Sequence, residues 1–316
     1  MGNPILYIVI PCYNEEEVLP ETSRRLAEKL DALEKAEKIG PESRVLFVDD
    51  GSRDATWGII ESLSHQDSRF GGVKLSRNKG HQNALLAGLT VANGRCDAVI
   101  SLDADLQDDI NAIDEMVDRF HEGNEVVYGV RSSRASDTVF KRSTAEGFYK
   151  LMQMLGVDIV DNHADYRLLS RRALAALLEF REVNLFLRGI VPLIGFQSTS
   201  VAYERAERFA GESKYPLKKM LLFAFDGITS FSIRPIRLVT LLGAIIFGTS
   251  LISLLVLLIQ KLFGQTVQGW TTLMGSIWLL GGIQLLCLGI IGEYVGRIYQ
   301  ESKHRPRFII DQIQLK

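Results

Sequence analysis

The sequence predicts an α/β domain with a mostly parallel sheet covered by helices on both faces, followed by a two-helix transmembrane hairpin. Two observations lead to this expectation. In the N-terminal part of the chain, short apolar segments alternate with helical patterns, which is typical of βαβ units. Near the C-terminus, two long segments carry no charged residue, and each is close to the roughly 20 residues that a helix needs to cross a bilayer.

The predicted strands alternate with predicted helices, as a parallel sheet requires. Apolar runs typical of strands buried on both faces occur in the segments YIVIP, RVLFVDDGS, GGVKLSRN, DAVISLDAD and EVVYGVR. Helical patterns follow the first four of these, at about residues 16–33 and then in ATWGIIESLSHQ, HQNALLAGLTVAN and AIDEMVDRFHEG. This alternation brings the carboxyl ends of the strands, where such sheets bind ligands, to one edge.

Composition excludes several classes of function. The chain has 316 residues and a formal net charge of −2, which gives no electrostatic reason to expect a nucleic-acid partner. Cys12, Cys96 and Cys287 lie far apart without a C-x-x-C, so a disulfide framework or thiolate zinc site is not expected, and a reducing compartment is favoured. A dinucleotide oxidoreductase is disfavoured because no G-x-G-x-x-G follows the first strand.

The two uncharged segments, 238–258 and 273–291, predict the membrane topology. Basic residues flank the pair on its outer sides, whereas the connection holds only Lys261 as a charged residue. The positive-inside rule therefore predicts a short external loop, with both flanks in the cytoplasm. A pair of buried core helices is the alternative. Residues 216–231 have apolar positions at helical spacing and two lysines, which predicts an amphipathic helix on the membrane surface, or alternatively a core helix.

The predicted organisation has four parts. They are a cytoplasmic α/β domain at 1–215, a juxtamembrane helix at 216–235, two transmembrane helices at 236–300, and a cytoplasmic tail at 301–316.

Polar residues follow four of the predicted strands, at 11–15, 49–52, 103–107 and 129–131. Their convergence on one edge of the sheet is what makes them a candidate site. Carboxylates and amide oxygens are ligands that Mg²⁺ and Mn²⁺ prefer. A single D-x-D occurs by chance in many loops, so the acids at the neighbouring strand end strengthen the prediction of a divalent-cation site.

Five segments resemble the motifs of family 2 glycosyltransferases with a GT-A fold, namely IPCYNEEE, VDDGSRD, NKGHQNALLAG, LDADLQD and RFAGESKYPLKKM. The resemblance covers about residues 5–300 and is greatest to the polyprenyl-phosphate branch, which includes bactoprenol glucosyltransferases and, further off, dolichol-phosphate mannose synthases. It implies metal-dependent transfer of a sugar from a nucleotide diphosphate to a lipid phosphate, with Mg²⁺ or Mn²⁺ as cofactor. It also implies a homotetramer.

The resemblance implies a set of donor-binding residues. Pro11, Tyr13 and Glu15 border the nucleoside, and Asp50 contacts the base or ribose. Three residues resemble a segment that closes over the donor diphosphate: Arg208, Ser213 and Lys214.

The same resemblance assigns the acids after the fourth strand. Asp103 lies near the ribose and the metal, while Asp105 and Gln107 ligate the metal. Asp108 and Asp109 fall outside this set and are interpreted as residues that begin the next helix, where acids are favoured.

Catalytic roles are implied for Asp105 and for groups near the acceptor. Arg131 and Arg142 hold the lipid phosphate, because guanidinium groups bind phosphate in a bidentate way. Asp165 matches the family's proposed base or sugar-hydroxyl ligand. Ala164 stands where the family's D-x-G-D-F-R-L pattern has glycine, and His163 before it is interpreted as a polar turn residue. A phosphate monoester has a second pKa of about 6 and needs no base, so we interpret Asp165 as a positioning group.

We therefore expect inverting transfer of a hexose, glucose from UDP-glucose, to undecaprenyl phosphate at the bacterial inner membrane. The product would be a lipid-linked monosaccharide for cell-envelope glycan modification. Other donors, such as GDP-mannose, a UDP-N-acetylhexosamine or a modified sugar, remain alternatives. A processive polysaccharide synthase is disfavoured because no tryptophan follows an arginine, as Q-x-x-R-W would require. A non-catalytic membrane scaffold is disfavoured by the intact acids.

Overall fold

The structure is a computed structural model that describes residues 2–132, 163–182, 187–204 and 269–315, together with isolated positions between the last two ranges. The chain divides into two compact units. The first contains Met1–Lys150, Asp158–Leu217 and Arg305–Lys316, and the second contains Leu151–Val157 and Lys218–His304.

An eight-stranded sheet forms the centre of the first unit, with the strand order β7-β5-β6-β4-β1-β2-β3-β8. The strands are β1 Leu6–Cys12, β2 Arg44–Asp49, β3 Phe70–Leu75, β4 Ala98–Ser101, β5 Val126–Arg131, β6 His163–Ser170, β7 Ser198–Tyr203 and β8 Ile310–Gln314. The described helices are α1 Leu19–Lys35, α2 Thr56–Gln66, α3 His81–Ala92, α4 Ala112–His121, α5 Arg171–Leu178, α6 Leu187–Leu193 and α7 Trp270–Ser302. The five predicted strands and the α/β class are confirmed.

The sheet is mixed, because two of its strands run against the others. β1 pairs parallel with β2 and β4, β2 pairs parallel with β3, and β5 pairs parallel with β7. β6 lies antiparallel between β4 and β5, and β8 lies antiparallel along β3. The interpretation of His163 as a turn residue is wrong, since it begins β6 and pairs with Val130. Strands β6, β7 and β8 were not predicted from the sequence.

Helix α3 packs closely on the central strands, and this packing positions the loop that precedes it. A Cβ atom on Gly88 would lie 2.4 Å from Val9 Cγ1 and 2.6 Å from Val48 Cγ2, so only glycine permits this approach. Helix α1 begins at Leu19, three residues later than expected. Residues 15–18 form a turn in which the Val18 amide donates to the Glu15 carbonyl, and Pro20 suits the first turn of the helix that follows.

Among the described residues, no helix combines the length and hydropathy needed to cross a membrane. The predicted hairpin therefore stays a prediction. The predicted amphipathic helix at 216–231 lies outside the described residues. The predicted C-terminal tail contributes β8 to the sheet of the first unit.

Candidate active site

The loops after β1 and β2 are held together at the carboxyl edge of the sheet. The Asn14 amide donates to Ser52 Oγ at 3.0 Å, and the Glu15 amide donates to Thr56 Oγ1 at 2.9 Å. Tyr13, the first residue after β1, is 41% exposed, so its ring is available to a ligand. Pro11 is buried as the penultimate residue of β1. The nucleoside contacts expected of Pro11, Tyr13 and Glu15 stay predictions.

Asp50 fixes the loop that leads into α3. Its side chain accepts hydrogen bonds from the Lys79 amide at 2.6 Å and the Gly80 amide at 2.8 Å. Gly80 has φ +88°, a conformation that side chains disfavour. Burial raises the pKa of Asp50, although these two amides oppose the change. The carboxylate thus organises the neighbouring loop, and its expected contact with the base or ribose stays a prediction.

The first two residues of α3 connect this loop to the other parts of the site. His81 Nε2 lies 3.4 Å from Asp103 Oδ1, beyond the end of β4. Gln82 Oε1 accepts a hydrogen bond of 3.3 Å from the Leu187 amide at the start of α6. The NKGHQ segment was recognised as a motif, but neither side chain was assigned a role from the sequence.

The predicted metal ligands lie on the turn that follows β4. Asp103, Asp105 and Gln107 are each partly exposed, and the Gln107 amide donates to Asp105 Oδ1 at 3.2 Å. Leu106, between Asp105 and Gln107, has φ +57°, a left-handed conformation that residues other than glycine rarely adopt. The described residues contain no group of three or more His, Cys, Asp or Glu side chains arranged to hold a metal.

The charge of this turn nevertheless fits a divalent cation. Burial raises the pKa of Asp103 to about 6; His81 opposes this shift, and the carboxylates of Asp108, Asp165 and Asp105 add to it. These carboxylates repel one another, and a cation bound between them would remove that repulsion. Two carboxylates and one amide oxygen also match the ligand chemistry of Mg²⁺ or Mn²⁺.

Asp108 binds a side chain of β7 and is not the cap of the next helix, which corrects the interpretation made from the sequence. It is 4% exposed and accepts a hydrogen bond of 2.6 Å from the Tyr203 hydroxyl. Arg131 Nε donates to that same hydroxyl at 3.4 Å, and Arg131 Nη2 lies 3.7 Å from Asp108 Oδ1. The helix-start interpretation suits only Asp109, which accepts from the Asn111 amide at 2.9 Å.

Asp165 reaches the same edge because β6 runs against its neighbours. The last β4–β6 ladder pair is Ser101 with Arg167, and Ser101 Oγ donates a hydrogen bond to the Asp165 carbonyl. Arg167 Nη2 donates to Asp165 Oδ1. Arg188 donates from Nε to Oδ1 at 3.3 Å and from Nη2 to Oδ2 at 3.1 Å.

The two guanidinium groups determine the ionisation of Asp165. Burial alone would raise its pKa, but Arg188 and Arg167 outweigh burial and hold the pKa well below its usual range. Asp165 is therefore an ionised hydrogen-bond acceptor and a weak base. This agrees with a positioning role.

Several functional candidates were missed from the sequence, and some carried a signal. Arg188 is a lone charge within the apolar run NLFLRGIVPLIG, which indicates a paired arginine, since an unpaired one would be costly to bury. Arg167 lies two residues from Asp165, so strand alternation places both on one face. Tyr203 had no local signal, because its partners are distant in sequence. Four predicted site residues lie outside the described residues: Arg142, Arg208, Ser213 and Lys214.

Comparison with known families identifies the class of protein. The sequence model described as glycosyl transferase family 2 matches residues 7–178, and that described as GtrB C-terminal hairpin matches residues 234–298. The chain belongs to glycosyl transferase family 2. The first match spans β1 to α5 and therefore includes each acid discussed above.

Relatives of this family 2 glycosyltransferase align over nearly its whole length. The bactoprenol glucosyl transferase of Shigella phage SfV is 41% identical over 96% of this chain and 97% of its own. YkoT of Bacillus subtilis (strain 168), an uncharacterized glycosyltransferase, is 56% identical over 98% of this chain and 92% of its own. Among solved structures, the mannosyltransferase PcManGT of Pyrobaculum calidifontis aligns over 95% of this chain and 85% of its own, with 14% identity and a TM-score of 0.46.

Proposed function

We propose that this glycosyltransferase has a GT-A fold and transfers glucose from UDP-glucose to a polyprenyl phosphate with inversion, giving a lipid-linked monosaccharide for cell-envelope glycan modification. The observation that carries the proposal is that carboxylates and an arginine lie close together at one edge of the sheet. The acids after β4 suit a cation, and Arg131 beside them suits a phosphate. Relatives named bactoprenol glucosyl transferase support this choice of donor sugar and acceptor.

In the proposed mechanism, Asp103, Asp105 and Gln107 would hold Mg²⁺ or Mn²⁺. When bound, the ion supplies charge neutralisation for the departing nucleoside diphosphate. Arg131, held by Tyr203 and Asp108, binds the acceptor phosphate, with Arg142 as a second contact. A phosphate oxygen attacks the anomeric carbon in line as the bond to the diphosphate breaks. Asp165 accepts a hydrogen bond from the sugar and fixes its orientation.

The proposed location is the bacterial inner membrane, with the sheet domain and both termini in the cytoplasm. β7 ends at Tyr203 and β8 begins at Ile310, and both belong to one sheet. Any membrane crossings by the chain between them must therefore be even in number, which supports a hairpin. The match to the GtrB C-terminal hairpin at residues 234–298 supports it as well. Assembly as a homo-oligomer is part of the proposal.

A donor screen tests this function. The purified protein in vesicles containing undecaprenyl phosphate is supplied with Mn²⁺ or Mg²⁺ and one nucleotide sugar at a time, and lipid-linked sugar is measured. We expect product with UDP-glucose and its loss on chelation of the metal. Product with GDP-mannose alone would change the assigned donor, and no product with any uridine or guanosine donor would reject the function.

A further inference from the structure

The carboxylate of Asp165 has both of its oxygens bonded by guanidinium groups. Arg188 approaches side-on, with Nε 3.3 Å from Oδ1 and Nη2 3.1 Å from Oδ2, while Arg167 Nη2 donates to Oδ1. The two arginines come from different elements, Arg167 from β6 and Arg188 from α6. Side-on pairing of this kind fixes the plane of the carboxylate as well as its position.

The surrounding structure determines where this pairing forms. Arg167 is 2% exposed and donates from Nη1 to the Leu187 carbonyl at 3.3 Å, while Gln82 accepts from the Leu187 amide at 3.3 Å. Both backbone groups of the residue before Arg188 are thus held from β6 and α3. The start of α6 is therefore fixed relative to Asp165. The backbone that carries the Arg188 side chain is fixed with it.

The charged groups near Asp165 come from four elements. They are Arg167 on β6, Arg188 on α6, His81 on α3 and Asp103 after β4. Both oxygens of Asp165 accept hydrogen bonds from guanidinium groups, so a proton added to either oxygen would lie beside a positive charge. A general base is effective only when its pKa lies near the working pH. Asp165 therefore accepts hydrogen bonds but takes up protons poorly.

We infer that Arg188 is a specificity-determining residue, because its pairing with Asp165 denies the transfer site a base and restricts acceptors to those that arrive already ionised. The inference rests on the proposed transfer reaction. A phosphate oxygen of the acceptor is already anionic. Water or an alcohol must instead lose a proton as its oxygen bonds to the anomeric carbon, and Asp165 is held in the form that accepts that proton least readily.

The variant Arg188→Gln tests this inference, because it leaves Asp165 with Arg167 as its remaining guanidinium partner. In this variant, water can attack the anomeric carbon while the bond to the diphosphate breaks and the water proton passes to Asp165. The products are glucose and UDP. General-base assistance is worth about 10²–10⁴-fold, so we expect the ratio of UDP-glucose hydrolysis to lipid transfer to rise at least about tenfold.

Two further variants identify the cause of such a change. Arg188→Gln combined with Asp165→Asn removes the carboxylate, so the gain in hydrolysis should disappear. Arg24→Gln, whose arginine is 55% exposed and pairs with Glu21 and Glu28 on α1, is the matched control and should keep the wild-type ratio. Circular dichroism and thermal melts establish that each variant is folded.

Hydrolysis is measured with and without undecaprenyl phosphate in the vesicles. An unchanged hydrolysis rate and ratio in Arg188→Gln would overturn the inference, as would a gain that persists in the double variant. These results differ from a failure of the proposed function, in which the wild-type protein itself makes no lipid-linked sugar. In that case, the rate of UDP-glucose hydrolysis measured without acceptor still allows Arg188→Gln to be compared with wild type.

Discussion

At the scale of single residues, two carboxylates of the candidate site have opposite ionisation behaviour. Burial and neighbouring carboxylates raise the pKa of Asp103 to about 6, whereas Arg188 and Arg167 hold the pKa of Asp165 low despite its burial. Asp103 thus has a surplus of negative charge around it, and Asp165 has a surplus of positive charge. These surroundings suit a bound cation at the first position and a fixed hydrogen-bond acceptor at the second.

The contrast leads to a ranking of two substitutions. Asp105→Ala removes a proposed metal ligand, so we expect transfer to fall to near background. Asp165→Asn preserves the shape of the side chain and part of its hydrogen bonding, so we expect only a partial loss, on the order of tenfold, as for the loss of one charged hydrogen bond. Initial rates of lipid-linked glucose formation measure both. Equal losses in the two variants, with metal binding intact in each, would contradict the ranking.

Tyr203→Phe tests how Arg131 is positioned. The substitution removes the hydroxyl that joins Arg131 to Asp108 and leaves the ring in place. A net loss of about 1 kcal/mol is typical for one hydrogen bond, so we expect the KM for the lipid acceptor to rise about fivefold while the KM for UDP-glucose stays unchanged. Tyr7→Phe, at the amino end of β1, is the control. A rise in the donor KM alone would contradict the assignment of Arg131 to the acceptor.

At the scale of elements, the loop before α3 and the first two residues of α3 together contact three strand and helix ends. The amides of the loop bind Asp50 after β2, His81 approaches Asp103 after β4, and Gln82 holds the start of α6. This loop and the first residues of α3 therefore contact both the turn after β4 and the start of α6, which carries Arg188.

A matched pair of glycine substitutions tests this role. Gly80 and Gly94 have φ +88° and +78°, and a Cβ at either position would meet no atom within 4 Å. Gly80→Ala and Gly94→Ala should therefore lose similar stability, about 1–2 kcal/mol, from backbone strain alone. Only Gly80→Ala, which disturbs the loop, should also slow transfer. Melting temperatures and transfer rates distinguish the two effects, and an equal loss of rate in both variants would show that the loop has no special role.

The strands and helices differ in how well the sequence predicts them. Strands β1 to β5 and helices α1 to α4 were predicted, because continuous apolar runs and helical spacing are local signals. β6 was missed because its buried face carries Asp165 and Arg167, whose charges make the segment resemble a loop. Asp108 was misassigned because its partner Tyr203 is distant in sequence. The strand ends that carry the acids lie at one edge of the sheet, as expected from the sequence, whereas the pairing of Arg188 with Asp165 required the three-dimensional fold.

At the scale of the whole molecule, the end of the chain returns to the sheet. β8 pairs antiparallel with β3, and Gln314 is bonded to Ser64 and Glu61 on α2. The strand thus covers an edge of β3 that would otherwise present unpaired backbone groups.

Deletion of residues 309–316 tests the contribution of β8. We expect the melting temperature of the protein to fall by about 5 °C, since a loss of about 2 kcal/mol shifts a unit of this size by roughly that amount. Exposure of the β3 edge should also increase aggregation. Asp311→Ala, a change at an exposed position of β8, should leave both properties near wild type. A deletion variant with an unchanged melting temperature would mean that β8 adds little to stability.

We propose that this family 2 glycosyltransferase glycosylates an acceptor that is already ionised. The most direct measurement compares undecaprenyl phosphate with undecaprenol, the corresponding alcohol, in otherwise identical vesicles supplied with radiolabelled UDP-glucose and Mn²⁺. We expect lipid-linked glucose with the phosphate and background levels with the alcohol. Equal product from both lipids, or product from the alcohol alone, would contradict the account.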